Sequence, residues 1–219
     1  WGISLEESLP DFQFIDALPG RKIILKGNHD YWWGTATKMK KFFEAHGIES
    51  IDILSYNKNG DFMSTKTNAV RLVQQAGIPC REAFYEFDEN DLNGMHAAQA
   101  LSMPPEQVFK TLVARGERTG INVFCIPVCS ELNLKKAAKA AGDKNMELIA
   151  VKELLPLTGY IRGGCSPVGM KKKYPTFIDE TCILWDEIAV SAGERGHQLI
   201  VNPEALAQLI DAKQADILA

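Results

Sequence analysis

The 219-residue sequence has no apolar run near the roughly 20 residues that span a bilayer, and no basic segment with an apolar stretch opens it. A transmembrane helix and a secretory signal are therefore not expected, and a cytoplasmic location is. It has no C-x-x-C pair. The five cysteines, Cys80, Cys125, Cys129, Cys165 and Cys182, are spaced for neither a disulfide framework nor a zinc ribbon and read as reduced thiols, several of them buried. Positive charge is not in excess: 24 Lys and Arg stand against 28 Asp and Glu. The net charge of -4 excludes a protein that coats nucleic acid, leaves room for a local basic patch, and makes DNA an unexpected partner. There is no internal repeat and no low-complexity tract. What is present, 46% hydrophobic and 24% charged residues, suits one sizeable domain, or one domain and a fragment.

Two dissimilar halves fit the second option. Three of the four tryptophans (Trp1, Trp32, Trp33) fall early, and SYNKNGDFMS, Ser55 to Ser64, collects the Asn, Asp, Gly and Ser of a connection. We place a boundary there, giving residues 1–62 and 63–219. The chain opens on Trp1 and Met63 stands at the end of the connection, so Met63 reads as an internal start. The first half reads as helix (Leu5 to Leu18), strand (Arg21 to Leu25), helix (Thr35 to His46, stopped by Gly47) and strand (Ile51 to Leu54). That is too little to cover both faces of a parallel sheet, so it is an incomplete α/β segment.

The second half starts with a capped helix in STKTNAVRLVQQAG, whose apolar stripe of Ala69, Val70, Leu72, Val73 and Ala76 ends at Gly77. Strands are expected at Cys80 to Phe87, Val108 to Ala114, Ile121 to Pro127, Ile161 to Gly163, Thr176 to Asp179, Glu187 to Ser191 and Gln198 to Val201. Helices are expected at Leu92 to Leu101, at Leu134 to Ala141 before Gly142, and after the Asn202-Pro203 start signal. Short strands interleaved with helices predict an α+β domain around a small mixed β-barrel with surrounding helices.

Two stretches carry candidate chemistry. Alternation along VFKTLVA puts Val108, Lys110, Leu112 and Ala114 on one face and Phe109, Thr111 and Val113 on the other. Lys110 is then either a rim lysine with a buried stem or an ammonium facing a cavity, where it can hold a phosphate or polarise a carbonyl. In LTGYIRGGCSPVGMKKKYP, the pair Gly163 and Gly164 lets backbone amides approach a ligand, as an oxyanion cradle would, or forms a tight turn. Lys171, Lys172 and Lys173, close in sequence to Arg162, form a solvated face that can meet an RNA backbone.

Two resemblances follow. KGNHDYWW, around Gly27 to Asp30, resembles the third motif of calcineurin-like metallophosphoesterases over roughly Trp1 to Tyr56. That family also uses an upstream D-x-H and a downstream G-H-x-H, both missing here, so Asn28 and His29 read as remnants of a two-metal site. The larger half resembles the YbaK family of Cys-tRNA(Pro) deacylases, relatives of the editing domain inserted in some prolyl-tRNA synthetases. The matching motifs are FYEFD, QVFKTLVA, LNLKKAAKAAG, TGYIRGGCSPVGMKKK, VSAGERG and LIDAKQADI, in the family's order.

The resemblance implies a trans-editing hydrolase acting on mischarged Cys-tRNA(Pro), without cofactor or metal. Its partners would be that tRNA and prolyl-tRNA synthetase, with no membrane. Lys110 would orient the tRNA 3′ end, with Thr111 beside it; Tyr85 and Ser191 would line the pocket, and Gly163 and Gly164 would supply backbone contacts. The substrate's own thiol would attack its ester. Where some members carry an acid this chain has Gln198, so no acid or base role is assigned there; Cys165, inside the glycine loop, reads as packing. The rival readings are a metal-dependent phosphoesterase and a tRNA- or synthetase-binding module without catalysis.

Overall fold

The computed structural model describes residues 6–18, 22–25, 42–48, 51–54, 66–87 and 94–219. The chain divides into two compact units, Trp1–Thr65 and Lys66–Ala219. In the first, helix α1 (Leu9–Ala17) has Pro10 in its opening turn and buries Phe12. Phe12 meets Phe43 edge to face at 4.9 Å, an arrangement in which ring edges and faces attract. Strands β1 (Lys22–Leu25) and β2 (Ile51–Leu54) pair in parallel, Lys22 opposite Ile51. GNHD, Met63 and the Ser55–Ser64 connection lie outside the described residues.

The second unit starts with α2 (Asn68–Gln75), whose Thr67 side chain accepts a hydrogen bond from the Val70 N–H and whose Ala69, Val70 and Val73 are buried. There follow β3 (Cys80–Phe84), α3 (Gly94–Leu101), β4 (Val108–Gly116) and β5 (Gly120–Pro127). Helix α4 (Leu134–Ala141) is capped by Asn133 and stopped by Gly142 at φ 71°, a left-handed conformation that glycine adopts without strain. After it come β6 (Met146–Leu148), α5 (Val151–Thr158), β7 (Thr176–Asp179), β8 (Ile188–Ser191) and β9 (His197–Val201). Asn202 caps α6 (Pro203–Ile210), and β10 (Ala212–Ala215) ends the unit.

The strands form one mixed sheet in the order β10-β7-β5-β4-β8-β9-β3, with β6 against the far end of β4. This is the expected α+β fold with a central mixed sheet. Its ladder ends on β10 and β3, so hydrogen bonding does not close the sheet into a ring among the described residues.

On one side of the sheet Phe109, Cys125, Ile178, Val190, Leu199 and Val201 pack on Val70 and Val73 of α2 and Leu206 of α6, and a separate cluster joins Val113 and Val123 to Tyr160 and Cys165. The other side is split as well. Val108, Ala189 and Ile200 pack on Ala97 and Ala98 of α3, whereas Ala114, Phe124, Ile126 and Phe177 pack on Ala137 and Ala138 of α4.

Candidate functional site

The split in the second layer is where Lys110 stands. Val108 joins the α3 cluster and Leu112 packs on the α4 cluster, so the residue between them on that face projects into the seam. Its Nζ donates to the Val128 carbonyl at 3.1 Å. No carboxylate lies within ion-pair distance of it among the described residues. Burial pushes the Lys110 ammonium below its usual pKa, because taking a charge out of water disfavours it; Cys129 and Glu131 partly offset this.

Strand pairing assembles the neighbours of Lys110. β4 and β8 run parallel with Val108 opposite Ala189 and Phe109 opposite Val190, so Lys110 and Ser191, the next residues, stand side by side. Ser191 pairs in turn with Gln198 on β9. The Gln198 Nε2 donates to Tyr85 Oη at 3.4 Å, and the Tyr85 backbone N–H donates to the Gly196 carbonyl at 2.9 Å. Lys110, Ser191, Gln198 and Tyr85 thus form a row across four strands or strand ends. Burial raises the Tyr85 phenol pKa, opposed by its contact with Gln198. Ser191 Oγ accepts from the Gly193 N–H at 3.2 Å and shapes the turn into β9.

The glycine loop abuts that turn. The strand expected at Ile161 to Gly163 does not form: Gly163 has φ 85°, and the Gly164 N–H donates to the Ile161 carbonyl at 3.0 Å, closing a turn instead of a ladder. Gly163 is exposed and Gly164 buried. A Cβ on Gly164 would lie 2.9 Å from the Glu194 carbonyl carbon and 3.1 Å from the Arg195 nitrogen, so only glycine fits this backbone approach. The Arg195 guanidinium also donates to the Arg162 carbonyl at 3.0 Å. Lys171, Lys172 and Lys173 follow on the surface, exposed.

Thr111 does not join the row. It faces the opposite side of β4, its Oγ1 4.0 Å from Cys125 Sγ. Cys165 packs with Val113, Val123 and Tyr160, and burial pushes its thiol up to about 12, as it does that of Cys125. Neither is a thiolate at neutral pH. Among the described residues no three His, Cys, Asp or Glu side chains converge as a metal site, and no helix is long and apolar enough to cross a membrane.

Two features escaped the sequence reading. His197 is 1% exposed and held between Glu82 (3.0 Å) and Glu194 (2.9 Å), with Phe84 stacked on its ring at 4.1 Å. Gln198 is buried in the middle of the row. The alternation in HQLIV, which puts Gln198 on the face of Ile200, was the available signal.

Comparison with known proteins bears on what this arrangement is. Residues 95–209 match the aminoacyl-tRNA editing domain family. A protein of Enterococcus faecalis (strain ATCC 700802 / V583) named as the Cys-tRNA(Pro)/Cys-tRNA(Cys) deacylase EbsC is 45% identical over 152 residues, 69% of this chain and 93% of its own. A crystal structure described as a trans-editing enzyme for prolyl tRNA synthetase superposes with a TM-score of 0.61 at 25% identity, over 72% of this chain and 99% of the other. The hypothetical protein APE2540 shares the fold, with a TM-score of 0.62 at 23% identity over 68% of this chain and 97% of its own. The chain belongs to the aminoacyl-tRNA editing domain family. GNHD falls outside the matched residues.

Proposed function

We propose that this chain, an aminoacyl-tRNA deacylase, clears mischarged Cys-tRNA(Pro) by hydrolysing its ester in trans. The observation that carries the reading is the half-buried Lys110 ammonium, which has a carbonyl partner but no carboxylate among the described residues. In a partly desolvated seam such a charge attracts an anion more strongly than it would in water. The phosphate at the tRNA 3′ end and the oxyanion of the transition state are candidate anions, and EbsC supports the choice of ester.

In this mechanism the enzyme orients and the substrate supplies the nucleophile. The cysteine sulfur, having lost its proton, bonds to its own ester carbonyl; the bond to the ribose 3′ oxygen then breaks and that oxygen takes up a proton. Water opens the resulting cyclic thioester to free cysteine. An intramolecular nucleophile gains a large effective molarity, so the protein need only hold the geometry and stabilise the oxyanion. Gly163 offers its backbone N–H and Gly164 the close backbone approach that holds the loop, Tyr85 and Ser191 line the pocket, and Thr111 acts through its backbone. Lys171 to Lys173 and Arg162 meet the RNA backbone. The mischarged tRNA is released by prolyl-tRNA synthetase, a cytoplasmic partner.

For residues 1–62, the GNHD resemblance supports no more than a phosphoesterase-like remnant. Single-turnover release of labelled cysteine from Cys-tRNA(Pro), with and without EDTA, tests both readings. Chelator-insensitive release that Lys110→Ala abolishes is expected. Tight binding of the ester without cleavage would mean a binding module, and metal-dependent cleavage of a phosphate ester without deacylation would overturn the assignment.

A further inference from the structure

Gln198 is 6% exposed, and its two amide atoms are treated differently by the fold. Nε2 has the Tyr85 hydroxyl; Oε1 has no hydrogen-bond partner and no contact with solvent. A buried acceptor without a donor is costly to keep, and most folds do not keep one. This one sits in the row beside Ser191, and its contact to Tyr85 is long for a hydrogen bond, so a ligand donor that displaces the half-buried Tyr85 ring gives up little hydrogen bonding there, at the cost of moving a ring packed on the α3 cluster.

We propose that Gln198 is a specificity-determining residue whose Oε1 receives the α-amino group of the aminoacyl ester. The assignment rests on the editing reading above. Lys110 and Gln198 stand on β4 and β9 with β8 between them, two strand spacings or about 10 Å apart in backbone. An aminoacyl adenosine laid along the row with its phosphate at Lys110 brings its amino-acid end to Gln198. That substrate has three candidate donors near the ester. The ribose 2′ hydroxyl belongs to the Lys110 end. The thiol is the nucleophile, and an S–H donated to a carboxamide would keep the proton it has to lose. The amino group remains, and its charge stands two strand spacings from that of Lys110, which the substrate phosphate neutralises. Gln198 also donates to the Tyr85 oxygen, which leaves the Tyr85 O–H free to donate into the cleft.

The test is a cycle between enzyme and substrate. Single-turnover rates are measured for Cys-tRNA(Pro) and for its desamino analogue, 3-mercaptopropionyl-tRNA(Pro), each divided by the enzyme-free hydrolysis rate of the same ester. The enzymes are the full-length wild type, Gln198→Met, which removes the acceptor at similar volume, and Gln198→Glu, which keeps one. Loss of a hydrogen bond to a charged group predicts that wild type cleaves the analogue about 10- to 100-fold less well. Gln198→Met should lose the same factor on the cysteinyl ester and discriminate little between the two, while Gln198→Glu still prefers the amine. Equal loss by Gln198→Met on both esters, or equal cleavage of both by wild type, overturns the assignment. Should the methionine variant fail to fold, wild type and Gln198→Glu decide by the same criterion. Failure of wild type to cleave Cys-tRNA(Pro) at all would instead overturn the editing reading.

Discussion

Phe109 and Lys110 are adjacent on β4 and face opposite sides of one sheet, and the two side chains meet different surroundings. Phe109 enters the large apolar cluster that α2 and α6 cover. Lys110 enters a layer divided between α3 and α4, where two apolar clusters meet without merging. Phe109 stabilises by packing; on the Lys110 side the gap between the clusters admits an ammonium whose Nζ has a carbonyl partner. The candidate site is thus an interruption in the core, with its walls supplied by the core's own strands.

Substitutions on either side should separate these roles. Phe109→Ala should have the largest effect, about 3–5 kcal/mol of unfolding free energy by urea titration, since it cuts a cavity in a layer that cannot collapse around it. A loss below about 1 kcal/mol would mean that the cluster around Phe109 can close the space it leaves. Lys110→Ala should do the reverse: deacylation falls at least about 100-fold, while the unfolding midpoint hardly moves. Loss of both together would make Lys110 structural. Gly164→Ala forces a Cβ against the Glu194 and Arg195 backbone and should cost about 1–3 kcal/mol, with a fall in activity as the loop shifts away from the row. An unchanged melting temperature would show that the loop gives way freely.

The smallest effect is in pH. Lys110 has a folded-state pKa below its ordinary 10.5, with burial as the main cause. Its charge therefore opposes folding at pH values below the folded pKa, and that cost disappears as pH rises through it. Wild type should gain on Lys110→Met in stability between neutral and alkaline pH, and its deacylation should fall off at a pH below that at which an exposed lysine titrates. A stability difference independent of pH would put Lys110 in water rather than in the seam.

Much of this was legible. The alternation in VFKTLVA put Lys110 and Thr111 on opposite faces, and the structure keeps them there. Thr67, Asn133 and Asn202 mark three helix starts because their side chains satisfy N–H groups that no helix can satisfy internally. Other features were hidden. Helix α5 contains Pro156, which lacks the N–H its position would use, so local propensity argues against a helix that tertiary contacts hold, among them the 2.6 Å ion pair of Glu153 with Arg115. The expected strand at Ile161 to Gly163 failed for the opposite reason: an apolar start reads as a strand, but a left-handed glycine cannot continue one.

The sequence by itself determined the family motifs, the face Lys110 occupies and the glycine that the loop needs, because each depends on short-range periodicity or on a single backbone conformation. Only the tertiary structure decided that Lys110, Ser191, Gln198 and Tyr85 form one row. They come from three segments far apart in sequence, since Ser191 and Gln198 share the β8–β9 hairpin, and what unites them is the register of β4 on β8 and the approach of Tyr85 to β9, fixed by long-range packing that no local pattern encodes.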